Sequence, residues 1–226
     1  RLLEQGVELG GCRVNKKKMR TYANFGAEET LSPADLARKY QYIITVLPNV
    51  YIVKEILVGV DGLMKGFNSN SLLIEMTTSI PSETKKINTM LRDTGFRMID
   101  APVSGGVKKA EDGTLAIMVG GSEADFEEVK PLLSQIGGNI THVGDVGAGH
   151  TIKALNNMIS AATLAVTGEA MALGVKLGLD PSKMLSVINT STGKSFSSDF
   201  KFPNQVLTRN FEVGFTLDLM VKDLKI

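Results

Sequence analysis

Tyr42-Ile-Ile-Thr-Val-Leu-Pro48 is the stretch that decides the fold. A continuous apolar run with β-branched residues, stopped by a proline, is what a strand covered on both faces requires. Ser71-Leu-Leu-Ile-Glu75 and Arg97-Met-Ile-Asp100 repeat the pattern. Helical patterns fill the gaps near Ser32 to Lys39, Val50 to Val58 and Pro81 to Thr94. Strands alternating with helices in this way predict an α/β domain, a doubly wound parallel sheet with helices on both faces.

Upstream, Arg1 to Gly6 reads as the tail of a helix closed by a glycine cap. A short strand, Gly11 to Val14, follows, then a basic helix from Asn15 to Phe25. Downstream, Leu115 to Val119 and Asn139 to Val143 read as further strands, with a helix from Glu123 to Ile136 between them. After Gly149 the strands stop. A long helix runs to about Gly178, and another opens at Asp180-Pro181. The boundary this implies divides residues 1–146 from an all-helical domain, residues 147–226. The long helix is apolar around most of its circumference and so must be covered, either between domains or between subunits of a homo-oligomer.

The chain has 226 residues, 43% of them hydrophobic, with 25 basic and 24 acidic side chains and a formal net charge of +1. That balance gives no electrostatic case for nucleic acid or an anionic membrane as partner. The single Cys12 rules out an intramolecular disulfide and suits a reducing compartment. Two scattered histidines leave no metal site to propose. The most apolar stretch, Ala154 to Leu177, is interrupted by Asn156, Asn157, Glu169 and Lys176, so no membrane span is expected. The chain opens at Arg1 without a methionine and stops at Ile226 just after the amphipathic run Phe215 to Leu224, so it reads as trimmed at both ends.

Chemistry concentrates in two segments. In a doubly wound sheet ligands bind at the carboxyl ends of strands, and Asn15, Leu47-Pro48, Thr77-Thr78 and Ser104-Gly105-Gly106 all fall there. The segment Asp100-Ala-Pro-Val-Ser-Gly-Gly106 is a turn rich in backbone donors after an apolar strand, suited to a small carboxylate. Ser104 adds a hydroxyl. An ordinary glycine turn would look the same. The second segment, Gly147-Ala-Gly-His-Thr-Ile-Lys-Ala-Leu-Asn-Asn157, opens a helix on glycines and sets Lys153 and Asn157 on one face. A lysine in such apolar surroundings can exchange a proton with a substrate hydroxyl or carbonyl; it can equally be a surface lysine with a buried stem. The amide of Asn157 needs a partner, which a bound substrate could be. Lys222-Asp223 reads as a solvated charged pair on an amphipathic helix.

A dinucleotide-binding sheet would set cofactor preference at the end of its second strand, where an acidic residue accepts hydrogen bonds from the ribose of NAD. Asn15 stands there, followed by Lys16, Lys17, Lys18 and Arg20. Cations in place of a carboxylate suit the 2′-phosphate of NADP; a solvated basic helix face accounts for them equally well. There is no G-x-G-x-x-G. If Arg1 to Gln5 ends the first helix, that phosphate-binding loop belongs upstream of Arg1.

Taken together, these segments resemble the β-hydroxyacid dehydrogenase family, and within it the 3-hydroxyisobutyrate dehydrogenases. The likeness rests on Asp100 to Gly106, Gly147 to Asn157 and Lys222-Asp223-Leu224, with weaker matches at Ile44 to Pro48, Glu75 to Thr78 and Gly193 to Ser198. It implies a Rossmann-like sheet followed by a helical domain. It further implies hydride transfer between NAD or NADP and a small 3-hydroxy acid, 3-hydroxyisobutyrate giving methylmalonate semialdehyde. By resemblance Ser104, Gly105 and Gly106 hold the substrate carboxylate, Lys153 is the general acid/base and Asn157 orients the substrate. Leu47, Pro48, Thr78 and Lys222 lie along the cofactor. Phe196 stands where several relatives carry tryptophan. An NADPH-dependent reductase of glyoxylate, succinic semialdehyde or tartronate semialdehyde shares every one of these residues. A non-catalytic dinucleotide-binding scaffold would be marked by loss of the lysine, which is present. A bacterial member would be cytoplasmic and a eukaryotic one mitochondrial.

Overall fold

The computed structural model describes residues 10–12, 22–211 and 214–226. It divides into two compact units, Arg1–Lys153 and Ala154–Ile226. The readings for Arg1 to Gly6 and for most of the basic helix, with Asn15 and Lys16, lie outside the described residues.

In the first unit a short parallel pair, β1 (Gly10–Cys12) and β2 (Glu28–Thr30), stands apart from a larger sheet. That sheet is built from β3 (Tyr42–Thr45), β4 (Leu72–Glu75), β5 (Arg97–Asp100), β6 (Val103–Ser104), β7 (Leu115–Gly120) and β8 (Gly137–Gly144). The linking helices are α1 (Pro33–Lys39), α2 (Val50–Val58), α3 (Pro81–Asp93), α4 (Gly106–Asp112) and α5 (Glu123–Leu133). Their starts follow from local chemistry. Ser32 accepts from the Asp35 N–H at 3.1 Å ahead of Pro33, and Asn49 accepts from the N–H groups of Tyr51 and Ile52 at 3.0 and 3.1 Å. Each satisfies donors that a helix start leaves open.

β3, β4 and β5 lie side by side in parallel, with Thr45 level with Glu75 and Glu75 level with Asp100. The expectation of a parallel sheet stops there, because β7 runs antiparallel to both β5 and β6. Only the short α4 lies between β6 and β7, too brief a return for the crossover that parallel neighbours need. β8 is again parallel to β7, so the sheet is mixed. This geometry brings three strand ends together. Asp100 pairs with Gly120, and Gly120 with Gly144.

All four residues of β4 are buried, as a central strand demands. Alternation sorts its side chains: Leu73 packs with Ile43, Val53, Leu57, Ile87 and Leu91 on one face. Leu72 and Ile74 pack with Ile99, Ile117, Val129 and Leu133 on the other.

The helices of the second half are α6 (Ala148–Lys176), α7 (Pro181–Asn189) and α8 (Leu217–Leu224), with a wide π-type turn over Ser197–Val206. The division between the units falls within α6. By length and composition alone, α6 is long and apolar enough to cross a membrane. In the second unit its Met171 forms a small core with Leu185 and Phe202.

Candidate active site

The carboxyl ends of β3, β4 and β5 form one edge, and the residues along it are held from within. Glu75, at the end of β4, is 0% exposed. It accepts from the Thr77 N–H at 2.8 Å, the Ser79 hydroxyl at 3.0 Å and the Thr45 hydroxyl at 3.4 Å. Burial pushes its carboxyl up to about 7, against the pull of those donors. Thr77 in turn accepts from the Leu47 N–H at 3.0 Å, fixing the β3 exit next to the β4 exit. Along this edge Val46 is 70% exposed; Pro48 is exposed and Leu47 and Thr78 are half-buried. An open apolar ledge at the strand ends fits a nicotinamide dinucleotide.

Asp100 ends β5 and is also 0% exposed. Its Oδ1 accepts from the Gly147 N–H at 2.6 Å and its Oδ2 from the His150 N–H at 2.7 Å. Burial lifts this carboxyl to about 6, with the backbone donors drawing it back down. The chain then passes buried Ala101 and Pro102 into β6, so Ser104 sits in a short strand rather than in the expected turn. Gly105 and Gly106 supply the turn, with φ of 138° and 71°. A Cβ at Gly106 would meet nothing within 4 Å, so its glycine is set by backbone conformation and the space beside it is open.

His150 carries the first turn of α6. Its ring is buried, with Nδ1 2.8 Å from the Thr84 hydroxyl and Nε2 3.2 Å from Glu75 Oε2. Nε2 makes no aligned hydrogen bond. Burial lowers this imidazole to about 4, so the ring is neutral at neutral pH. Lys153 lies one turn further along and is 8% exposed. The surface-lysine alternative is therefore set aside: this lysine is in the interior. Among the described residues no group of His, Cys, Asp and Glu side chains is arranged to hold a metal ion.

In the second unit, half-buried Asn157 already has a protein partner. Its Nδ2 donates to Asp223 Oδ2 at 2.8 Å. Asp223 is 5% exposed and its Oδ1 lies 3.1 Å from Lys222 Nζ. Lys222-Asp223 is thus no solvated pair: its carboxylate is buried against the amide, while Lys222 stays half-buried. Phe196 is 64% exposed and stacks on Phe200 at 5.2 Å.

Comparison with known proteins follows this geometry. The NAD-binding domain model of 6-phosphogluconate dehydrogenase matches residues 1–144, and the NAD-binding model of NADP-dependent 3-hydroxyisobutyrate dehydrogenase matches residues 147–226. The chain belongs to the family of 3-hydroxyisobutyrate dehydrogenases and related NAD(P)-dependent 3-hydroxyacid dehydrogenases. It is 38% identical to 2-(hydroxymethyl)glutarate dehydrogenase of Eubacterium barkeri over 99% of this chain and 74% of that protein. The human mitochondrial 3-hydroxyisobutyrate dehydrogenase is also 38% identical, over 99% of this chain and 68% of its own. A solved Mycobacterium tuberculosis 3-hydroxyisobutyrate dehydrogenase with L-serine superposes with a TM-score of 0.93 at 30% identity, covering 99% of this chain and 78% of that one. The chain is an enzyme of this oxidoreductase family.

Proposed function

We propose that this dehydrogenase acts on acids of the form HO–CH2–CHR–COO⁻, and that its substrate is 3-hydroxyisobutyrate, oxidised to methylmalonate semialdehyde. 3-Hydroxyisobutyrate, 2-(hydroxymethyl)glutarate and L-serine, the compounds named with its relatives, share that skeleton and differ only in R. One observation carries the reading. Lys153 is buried on the helix whose first turn is bonded to Asp100, the residue that begins the Asp100 to Gly106 segment.

The Ser104 hydroxyl and the Gly105 and Gly106 N–H groups hold the carboxylate, which fixes the carbon two bonds away. Lys153 Nζ takes the hydroxyl proton as the alcohol becomes the aldehyde and returns it in the reverse direction. Asn157, held by Asp223, orients the substrate. A bound nicotinamide supplies the two-electron hydride acceptor. Residues 1–146 serve as the dinucleotide domain and residues 147–226 as the helical domain. Leu47, Pro48, Thr78 and Lys222 line the cofactor, and Asn15 with Lys16 favours NADP over NAD. The exposed apolar side chains of α6, Met158, Ile159, Val166 and Leu173, supply a surface for a second copy of the chain; a monomeric mass by light scattering would exclude that assembly. Localisation follows the relatives: mitochondrial in a eukaryote, cytoplasmic in a bacterium.

The test is nicotinamide absorbance on the full-length protein. 3-Hydroxyisobutyrate oxidation and semialdehyde or glyoxylate reduction are each run with both cofactors. Preference for 3-hydroxyisobutyrate supports the reading. Turnover of aldehydes alone, with NADPH alone, moves the protein to the reductase branch that Asn15 with Lys16, Lys17, Lys18 and Arg20 favours. Absence of any turnover leaves the scaffold reading.

A further inference from the structure

We infer that Asp100 is a positioning residue for Lys153: its carboxylate clamps the first turn of α6 to the end of β5 and so sets where the lysine stands relative to Ser104–Gly106. The inference rests on the proposed role of Lys153 and adds a residue to it.

Helix α6 begins without a carboxylate of its own, since no acidic residue occupies its first turn. A helix start exposes N–H donors and a partial positive charge, and a carboxylate satisfies both. Asp100 supplies it from a strand 47 to 50 residues earlier, accepting from Gly147 and His150 through separate oxygens. The surrounding glycines are what so close a clamp requires. A Cβ at Gly120 would stand 2.5 Å from Asp100 Oδ1, and one at Gly149 would stand 2.9 Å from Asp100 Oδ2. Gly147 has a φ of 96°, which bends the chain into the clamp.

A second layer fixes the same turn against rotation. The His150 ring reaches the Thr84 hydroxyl on α3 and the Glu75 carboxyl on β4, at 2.8 and 3.2 Å. The turn is therefore hydrogen-bonded to β5 and to α3 at once, with the Glu75 carboxyl of β4 lying against the ring. Lys153 follows His150 by three residues, about 4.5 Å along a helix axis, so displacement of the turn displaces its amine. In the other direction Asp100 is joined to Ser104 through buried Ala101 and Pro102, a short stiff link. One side chain thus connects, by covalent chain on one side and hydrogen bonds on the other, the segment that holds the carboxylate and the segment that carries the proton acceptor. A carboxylate retained in the interior, where burial works against its charge, is consistent with a geometric duty.

The experiment compares Asp100→Asn, Thr84→Val and Lys153→Ala in the full-length enzyme. Asparagine keeps the size of Asp100 but turns an amide toward one of the two donors. The expected result is a kcat lowered roughly 10- to 100-fold for Asp100→Asn, with KM for the nicotinamide cofactor within about twofold, as a small misplacement of a reacting group predicts. A second readout needs no turnover. Labelling of Lys153 by trinitrobenzenesulfonate, with exposed Lys176 as internal standard, is expected to quicken several-fold in Asp100→Asn and less in Thr84→Val. Unchanged kcat and unchanged labelling in Asp100→Asn, while Lys153→Ala is inactive, overturn the positioning role and leave the lysine reading intact. Full activity of Lys153→Ala overturns the lysine reading instead. Should Asp100→Asn not fold, Thr84→Val decides by the same two readouts, and its indifference in both overturns the inference.

Discussion

Replacing Glu75 by glutamine is expected to make the protein more stable at alkaline pH. The carboxyl is 0% exposed, and burial, assisted by the neighbouring Asp100 charge, raises it from an ordinary 4.5 to about 7. Between those values the folded state holds a proton that the open chain has released, so stability falls as pH rises through that window. It is fully retained below pH 4.5 and lost above about pH 7. At about 1.4 kcal/mol for each pH unit between the two, the cost of ionised Glu75 above pH 7 is about 3 kcal/mol. Glutamine cannot ionise, yet its Oε1 can accept from the Thr77 N–H while its Nε2 donates to the Ser79 hydroxyl oxygen. Asp100 and His150 titrate nearby in both proteins, so their contributions largely cancel in the difference. Urea unfolding at pH 5, 6, 7 and 8 measures it. The expected gain for Glu75→Gln is up to about 3 kcal/mol at pH 8, shrinking toward zero near pH 5. An offset independent of pH, or a variant less stable than the parent at pH 8, would refute the assignment of a strained buried carboxylate.

Other expectations follow from packing and backbone. Leu73→Ala, at a fully buried position in the central strand, should cost about 2–5 kcal/mol in urea unfolding. Gly149→Ala places a Cβ against the Met118 carbonyl and 2.9 Å from Asp100; a loss of at least about 1–3 kcal/mol is expected by thermal melting. Asp180→Ala removes the acceptor for the Lys183 N–H at the start of α7, and a loss of about 1 kcal/mol by the same assay is expected.

The sheet was readable where burial on both faces leaves an unbroken apolar run. Tyr42 to Leu47, Ser71 to Glu75 and Arg97 to Asp100 each contain the strand observed. Strand direction is not written in residue type, so the antiparallel β7 could not be read from Leu115 to Val119. β2 and β6 have three and two residues, too few for any period to show, and α4 begins only at the last residue of the Asp100 to Gly106 segment read as a glycine turn. The site divides the same way. Glycines and a lysine at helix spacing mark Ser104–Gly106 and Lys153 locally. The carboxylates that hold them leave no local mark: Asp100 meets His150 across 50 residues, and Asp223 meets Asn157 across 66. The nearest signal was the amide of Asn157 inside an apolar helix, which called for a partner without saying which.

The most direct measurement is the pH-dependent kcat for 3-hydroxyisobutyrate oxidation by the full-length enzyme and its Lys153→Ala variant, with cofactor saturating. Loss of a positioned proton acceptor predicts a kcat lower by roughly 10²- to 10⁴-fold, partly restored by added small primary amines. A variant that turns over within a few-fold of the parent, with the same pH profile, would contradict the account.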